Sequence, residues 1–172
     1  RDSMPEGISS AIPYIKKILN AFNIPILLLD GFEADDVIGT LAKQAEKQNF
    51  QTYMLTPDKD FAQLVSKSTF MYRPSNRGNP SEIWDVNQVC ERFNIDNVEQ
   101  VIDFLGMVGD AVDNIPGIAG VGPKTASKLL KIYGSIEEMY SRINEFNEGK
   151  LKEKILTSKD KAFLSKKLAT II

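Results

Sequence analysis

Apolar residues recur at helical spacing through "ISSAIPYIKKILNAF" (8 to 22), where Ile12, Ile15, Ile18, Leu19 and Phe22 form one stripe. The pattern predicts a helix with one buried face, with Pro13 tolerable near its first turn. The next run, "IPILLLDG" (24 to 31), is continuously apolar and ends in Gly, as a strand buried on both faces should read. Val37, Ile38 and Leu41 then set a second helical stripe, with Lys43, Gln44, Glu46 and Lys47 polar, before "QTYMLT" (51 to 56) supplies a second strand. Strand, helix, strand predicts parallel pairing with a right-handed crossover. A short helix over "FAQLVS", a third strand at "TFMYR" (69 to 73) and a polar loop over 74 to 82 follow. From Asp85 the pattern is helical: 85 to 93, 97 to 107, 122 to 133, 135 to 146, about 149 to 156 and 159 to 170. The expected fold is α/β, a central mostly parallel sheet flanked by helices (residues 1–84), followed by a helical lobe (85–172). No repeat, low-complexity segment or long linker interrupts it.

Composition narrows the chemistry. The 172 residues are 42% hydrophobic and 26% charged, a balance that suits one domain, or one with a small appendage. No stretch reaches the roughly 18 consecutive apolar residues of a membrane span. "RDSMPEGISS" lacks the apolar core of a secretory signal, so a cytoplasmic protein away from membranes is expected. The single cysteine, Cys90, can form no internal disulfide, and the absence of His excludes the usual zinc sites and His-based acid/base catalysis. Acid chemistry must run on carboxylates. The chain begins with Arg1 rather than Met, as a piece of a longer protein would.

Three acidic clusters carry the candidate chemistry. "GFEADD" places Glu33, Asp35 and Asp36 at the start of a helix, where acids interact well with the helix dipole; alone, that explains them. "LTPDKD" places Asp58 and Asp60 just past the second strand, as the first cluster sits just past the first. Ligands of open parallel sheets bind outside the carboxyl ends of the strands, so one edge would carry five carboxylates. Like charges about 4 Å apart repel by roughly 4 kcal/mol at an effective dielectric near 20, which argues for a compensating cation. The third cluster, "GDAVDN", supplies Asp110 and Asp113, which read equally as helix termination before a turn. Oxygen donors without His or Cys suit Mg²⁺ or Mn²⁺. Two such ions about 3.5 to 4 Å apart can activate water and stabilise the leaving oxygen in phosphodiester cleavage.

"PGIAGVGPKTASKLL" (116 to 130) is independent of the acids. Gly117, Gly120 and Gly122 form a tight hairpin, Pro123 opens a helix, and Lys124, Thr125 and Lys128 fill its first turns. Glycines let the backbone approach a partner, and amides at a helix start bind phosphate. The segment reads as a helix-hairpin-helix that grips a duplex by its backbone, or as a plain turn between packed helices. It is no nucleotide phosphate loop, because Pro123 precedes Lys124 where that motif needs Gly before Lys. The net charge of −2 hides a division of roles. Of 23 acidic residues seven lie in the clusters, which leaves 16 against 21 basic, an excess of about five positive charges.

Taken in order, "GFEADDVIGTLA", "TPDKDFAQLV", "GMVGDAVDNIPGIAGVGPKTASKLL" and "YGSIEEMY" closely resemble the 5'-nuclease domains of bacterial DNA polymerase I, within the flap endonuclease and 5'-to-3' exonuclease family. The resemblance implies a PIN-like core with a mixed sheet, a helical arch and a helix-hairpin-helix. It also implies cleavage of 5' ends and 5' flaps of branched DNA in replication and repair. Glu33, Asp35, Asp36, Asp58, Asp60, Asp110 and Asp113 match its metal-site carboxylates, with Asp35, Asp36, Asp58 and Asp60 nearest two Mg²⁺ (or Mn²⁺) ions. The hairpin at Gly117, Gly120 and Gly122, with Lys124, Thr125 and Lys128, would hold the duplex, and the carbonyls of Ile118 and Val121 would hold K⁺. The family's first strand, with one further metal-binding Asp, and most of its basic arch do not appear; Arg1 matches the arch's last basic residue. Weak cleavage by this chain alone is therefore expected. The same resemblance leaves open whether a polymerase is fused in the parent; a monomer with a nucleoid-associated location is expected.

Two other readings remain. The chain could be a non-catalytic helix-hairpin-helix module that binds duplex DNA. Alternatively, the basic helices "KLKEKILTSKDKAFLSKKL" could dock a partner, although Leu151, Ile155, Leu156, Phe163, Leu164 and Leu168 give them an apolar face suited to closing the domain.

Overall fold

The computed structural model describes residues 4–75, 78 and 80–172. The chain divides into two compact units, Arg1–Val37 and Ile38–Ile172.

In the first unit, α1 (Glu6–Ala21) forms as the apolar spacing requires. It begins early enough that Pro13 lies in its interior rather than near its first turn, where the missing N–H removes one helical hydrogen bond. None of its residues is buried, and Ile15, Ile18 and Phe22 are exposed, so the expected buried face is not found. Periodicity aligns a stripe; cover has to come from another element. Residues 24 to 29 form no strand and pair with no segment among the described residues, and Leu27, Leu28 and Leu29 are exposed. An apolar run makes a segment suited to burial, but a strand exists only where a second backbone completes its ladder. Gly31, with φ at +85°, turns the chain into α2 (Ala34–Lys47).

The second unit holds a three-stranded sheet in the order β1-β2-β3. β1 (Thr52–Leu55) and β2 (Thr69–Arg73) run parallel, with Thr52 opposite Thr69 and Leu55 opposite Tyr72. A 3-10 turn over Lys59–Leu64 makes the crossover. β3 (Glu82–Trp84) lies antiparallel to β2, within and just beyond a segment expected to be loop, so the sheet is mixed. Trp84 is buried between the guanidinium groups of Arg73 and Arg92, at 4.5 and 4.6 Å from its ring.

The helices after Asp85 follow the sequence expectation closely: α3 (Val86–Phe93), α4 (Gln100–Val108), α5 (Pro123–Tyr133), α6 (Ile136–Ser141), α7 (Lys150–Thr157) and α8 (Lys159–Ala169). Asp85 and Gln88 form a capping box at α3. Buried Gln100 ties α4 to the end of α5 by donating to the carbonyls of Leu130 and Gly134. Helices α4 and α8 approach so closely that a Cβ on Gly106 would lie 2.9 Å from Lys166 Cα. That approach explains why α8 buries small residues, Ala162, Ser165 and Ala169, rather than its leucines. Ile155 is buried and Phe163 partly so, but Leu151, Leu156, Leu164 and Leu168 are exposed, which corrects the apolar face expected there.

Candidate active site and nucleic-acid interface

Glu33, Asp35 and Asp36 belong to the first unit and surround the start of α2. Asp36 Oδ2 accepts the Glu33 backbone N–H at 3.2 Å, so one of the three carboxylates does cap the helix. Glu33 is exposed, and Asp35 and Asp36 are partly buried.

The second unit brings together the other two acidic clusters. After β1 the chain turns at Asp58, whose Oδ1 accepts the Asp60 N–H at 3.0 Å, fixing the 3-10 turn. That turn aims Asp60 inward, where its Oδ1 is buried with no hydrogen-bond partner. Burial, then the charge of Asp58, pushes the Asp60 carboxyl up to about 6; Lys59 pulls the other way, and Asp110 and Asp113 add to the rise. Four carboxylates from two distant stretches therefore share one electrostatic environment. Gly109, at φ +72°, ends α4, and the backbones of Asp110 and Ile115 then exchange hydrogen bonds at 2.9 and 2.7 Å. The "GDAVDN" segment is thus a closed turn that terminates the helix and also sets its acids within electrostatic reach of Asp60.

Lys59, between the two acids of its motif, reaches across to this turn: its Nζ lies 2.9 Å from Asp110 Oδ2. The hydrogen bond to Asp110 holds the Lys59 ammonium above the usual lysine range, although burial opposes it. The same bond, helped by the Val112 N–H at 2.9 Å from Oδ1, holds the Asp110 carboxyl low. Among the described residues no three Asp, Glu, His or Cys side chains are grouped so as to hold a metal ion. The donor chemistry nonetheless fits a hard divalent cation: oxygen acceptors only, one of them buried and unsatisfied, in a field of like charges.

The hairpin between α4 and α5 has glycines of two kinds. Gly117 is buried; a Cβ there would lie 2.7 Å from the Val108 carbonyl oxygen, and its N–H donates to Ser165 Oγ at 2.9 Å. Its lack of a side chain serves packing against its own chain, not approach to a partner. Gly120, at φ +76°, is exposed, with the end of the Lys154 side chain over it. Gly122 has open space around it and starts α5 without any side-chain cap. Lys124 and Lys128 are exposed and Thr125 partly so. The side chains of Ile118 and Val121 are buried, and the Ile118 carbonyl accepts the Val121 N–H at 3.0 Å. Arg1 lies outside the described residues.

Three residues escaped the sequence reading. Lys59 sits inside a quoted motif, and its charge among acids was the available signal. Arg73 stacks on Trp84 and donates to the Pro57 carbonyl at 2.9 Å, bracing the turn that carries Asp58. Lys154, on α7, joins the hairpin tip only through the tertiary fold, and no local pattern marks it. No helix of the described residues is long and apolar enough to cross a membrane.

Residues 1–94 match the family model "5'-3' exonuclease, N-terminal resolvase-like domain", and residues 97–172 match "5'-3' exonuclease, C-terminal SAM fold". DNA polymerase I of Bacillus subtilis (strain 168) is 42% identical over 172 residues, covering 100% of this chain and 19% of that protein. The 5'-3' exonuclease of Aquifex aeolicus (strain VF5) is 41% identical over 146 residues, 85% of this chain and 49% of that one. The chain thus spans about one-fifth of the DNA polymerase I relatives it matches. A solved structure of T5 5'-exonuclease with zinc bound superposes with a TM-score of 0.82 at 21% identity, covering 97% of this chain and 62% of that one. A bacteriophage T5 flap endonuclease complexed with DNA and metal ions gives 0.81 at 20%, with the same coverage. The two family models together span nearly the whole chain: the chain belongs to the 5'-3' exonuclease family, a family of nucleases.

Proposed function

We propose that this chain is the 5'-nuclease part of a DNA-processing enzyme, hydrolysing phosphodiester bonds at 5' ends and 5' flaps with two divalent ions, Mg²⁺ or Mn²⁺. The observation that carries the reading is Asp60: a buried carboxylate oxygen without a partner, pushed up by burial and by three other acids, is costly unless a cation completes it. In the second unit Asp58 and Asp60 would hold an ion most directly, with Asp110 and Asp113 supporting them; Asp35 and Asp36, with Glu33, are the metal-holding candidates of the first unit. Divalent ions supply charge neutralisation at the phosphate and a more acidic water. The protein's own part is to fix the carboxylates. Asp58 does so for the turn, Arg73 braces it, and the Asp110–Ile115 bridge holds the second acidic loop.

Gly120, Gly122, Lys124, Thr125 and Lys128 would bind the duplex backbone, with Lys154 beside them, and the Ile118 and Val121 carbonyls would hold K⁺. The DNA polymerase I relatives favour a polymerase fused to this part; the proposed setting is a monomer in the cytoplasm, beside the nucleoid. Within it, residues 1–84 would form the catalytic core and 85–172 the DNA-gripping lobe.

The test is the double substitution Asp58→Asn with Asp60→Asn in the full-length protein. Flap cleavage in Mg²⁺ should fall by at least about a thousandfold while flap binding stays within about twofold. Unchanged cleavage would sink the catalytic reading and favour the non-catalytic DNA-binding module.

A further inference from the structure

Lys59 places a positive charge at the edge of the acidic cluster, paired with Asp110 rather than with Asp60. Its ammonium bonds Asp110 at 2.9 Å, while Asp60 Oδ1 is left buried and unsatisfied, and no metal-holding group of three acids forms among the described residues. The pair is only partly covered, with the Lys59 side chain about half exposed, so it can open at small cost. Lysine is a flexible point charge on a four-carbon stem, able to swing away without disturbing the turn. Its neighbours Asp58 and Asp60 are joined by the Asp60 N–H donating to Asp58 Oδ1, a bond that does not involve the ammonium.

We propose that Lys59 is a built-in competitor for the divalent cation: its ammonium neutralises Asp110 and must release that carboxylate before a divalent ion can use it. This rests on the metal-dependent reading above. The consequence is a weakened metal affinity. The competitor keeps the acidic cluster folded without metal, and loading requires an exchange of one positive charge for another. A charge at about 4 Å is worth roughly 1 kcal/mol in water, so removing the ammonium should tighten divalent binding about fivefold.

The experiment measures Mn²⁺ binding to the full-length protein without DNA, by the fall in free-ion electron paramagnetic resonance signal, with circular dichroism checking the fold. Lys59→Met should bind Mn²⁺ about three- to tenfold more tightly than the unsubstituted protein. Lys59→Arg, which keeps the charge, should stay within twofold, as should Lys161→Met, which removes a charge from an exposed site on α8. Equal or weaker binding by Lys59→Met, or the same tightening in Lys161→Met, overturns the inference. Asp58→Asn with Asp60→Asn separates the two levels. If that variant loses Mn²⁺ binding while Lys59→Met is unchanged, only the competitor role falls. If it keeps full affinity, the metal site and the competitor role fall together.

Discussion

Asp103 Oδ1, buried in α4, accepts both the Lys166 ammonium at 2.6 Å and the Ile136 backbone N–H at 3.0 Å, so one carboxylate joins α4, α8 and the start of α6. Lys166 also reaches Glu137 at 2.7 Å. The two partners are shifted in opposing senses. Burial pushes the Asp103 carboxyl up, against its ionised form, whereas Lys166 is held high by its two acids despite burial. Two donors converging on Asp103 Oδ1 favour the ionised pair. Burying such a pair contributes little net stability, but removing one partner strands the other. Asp103→Ala should cost about 2 to 3 kcal/mol in urea unfolding, since it also leaves the Ile136 N–H unsatisfied. Asp103→Asn, which keeps an acceptor, should cost less.

The hairpin glycines separate folding from binding. Gly109→Ala and Gly117→Ala each force a Cβ to within 2.6 and 2.7 Å of a backbone oxygen at positive φ, and each should destabilise by at least about 2 kcal/mol. Gly122→Ala meets open space at ordinary φ and should cost at most about 1 kcal/mol. If a duplex backbone sits against Gly122, this well-folded variant should nonetheless bind duplex DNA more weakly in a fluorescence anisotropy titration.

Glu46, near the end of α2, accepts from the hydroxyls of Ser66 at 2.6 Å and Ser68 at 3.3 Å, just before β2. The Ser66 hydroxyl in particular holds its carboxyl below the usual value of 4.5, against burial. A carboxyl lowered in the folded state contributes stability that is fully present above its unfolded pKa and is lost as pH falls through the folded one. Glu46→Gln should therefore be less stable at pH 7, by under about 1 kcal/mol for this part-exposed group, and the gap should close at a pH well below the usual 4.5. Thermal melts at the two pH values decide it.

Exposed Lys124 and Lys128 face away from the helical core on α5. If both neutralise phosphates, Lys124→Ala with Lys128→Ala should reduce the slope of log affinity against log salt by about two, without altering sequence preference. An unchanged slope would place the duplex elsewhere.

Much of this chain was legible from local chemistry. Helices α3 to α8 follow from spacing, caps and the glycines at their ends, because a helix closes its hydrogen bonds within its own segment. The acid motifs were legible for a related reason, since "TPDKD" carries both its carboxylates and the turn that positions them within a few residues. What local order could not settle was pairing. The run at 24 to 29 has the composition of a central strand but no strand partner among the described residues, and β3 was hidden in a turn-rich segment because three residues suffice once β2 lies alongside. Burial was misjudged similarly. Gly106 and Ser165 are ordinary in sequence, yet the close passage of α8 over α4 makes small residues essential there and leaves Leu164 and Leu168 outside. The sequence by itself determined the family, the helices and the acids. Only the tertiary structure decided that Lys59 meets Asp110 across 51 positions and that Lys154 covers Gly120, because long-range electrostatics and packing depend on which segments meet rather than on their composition.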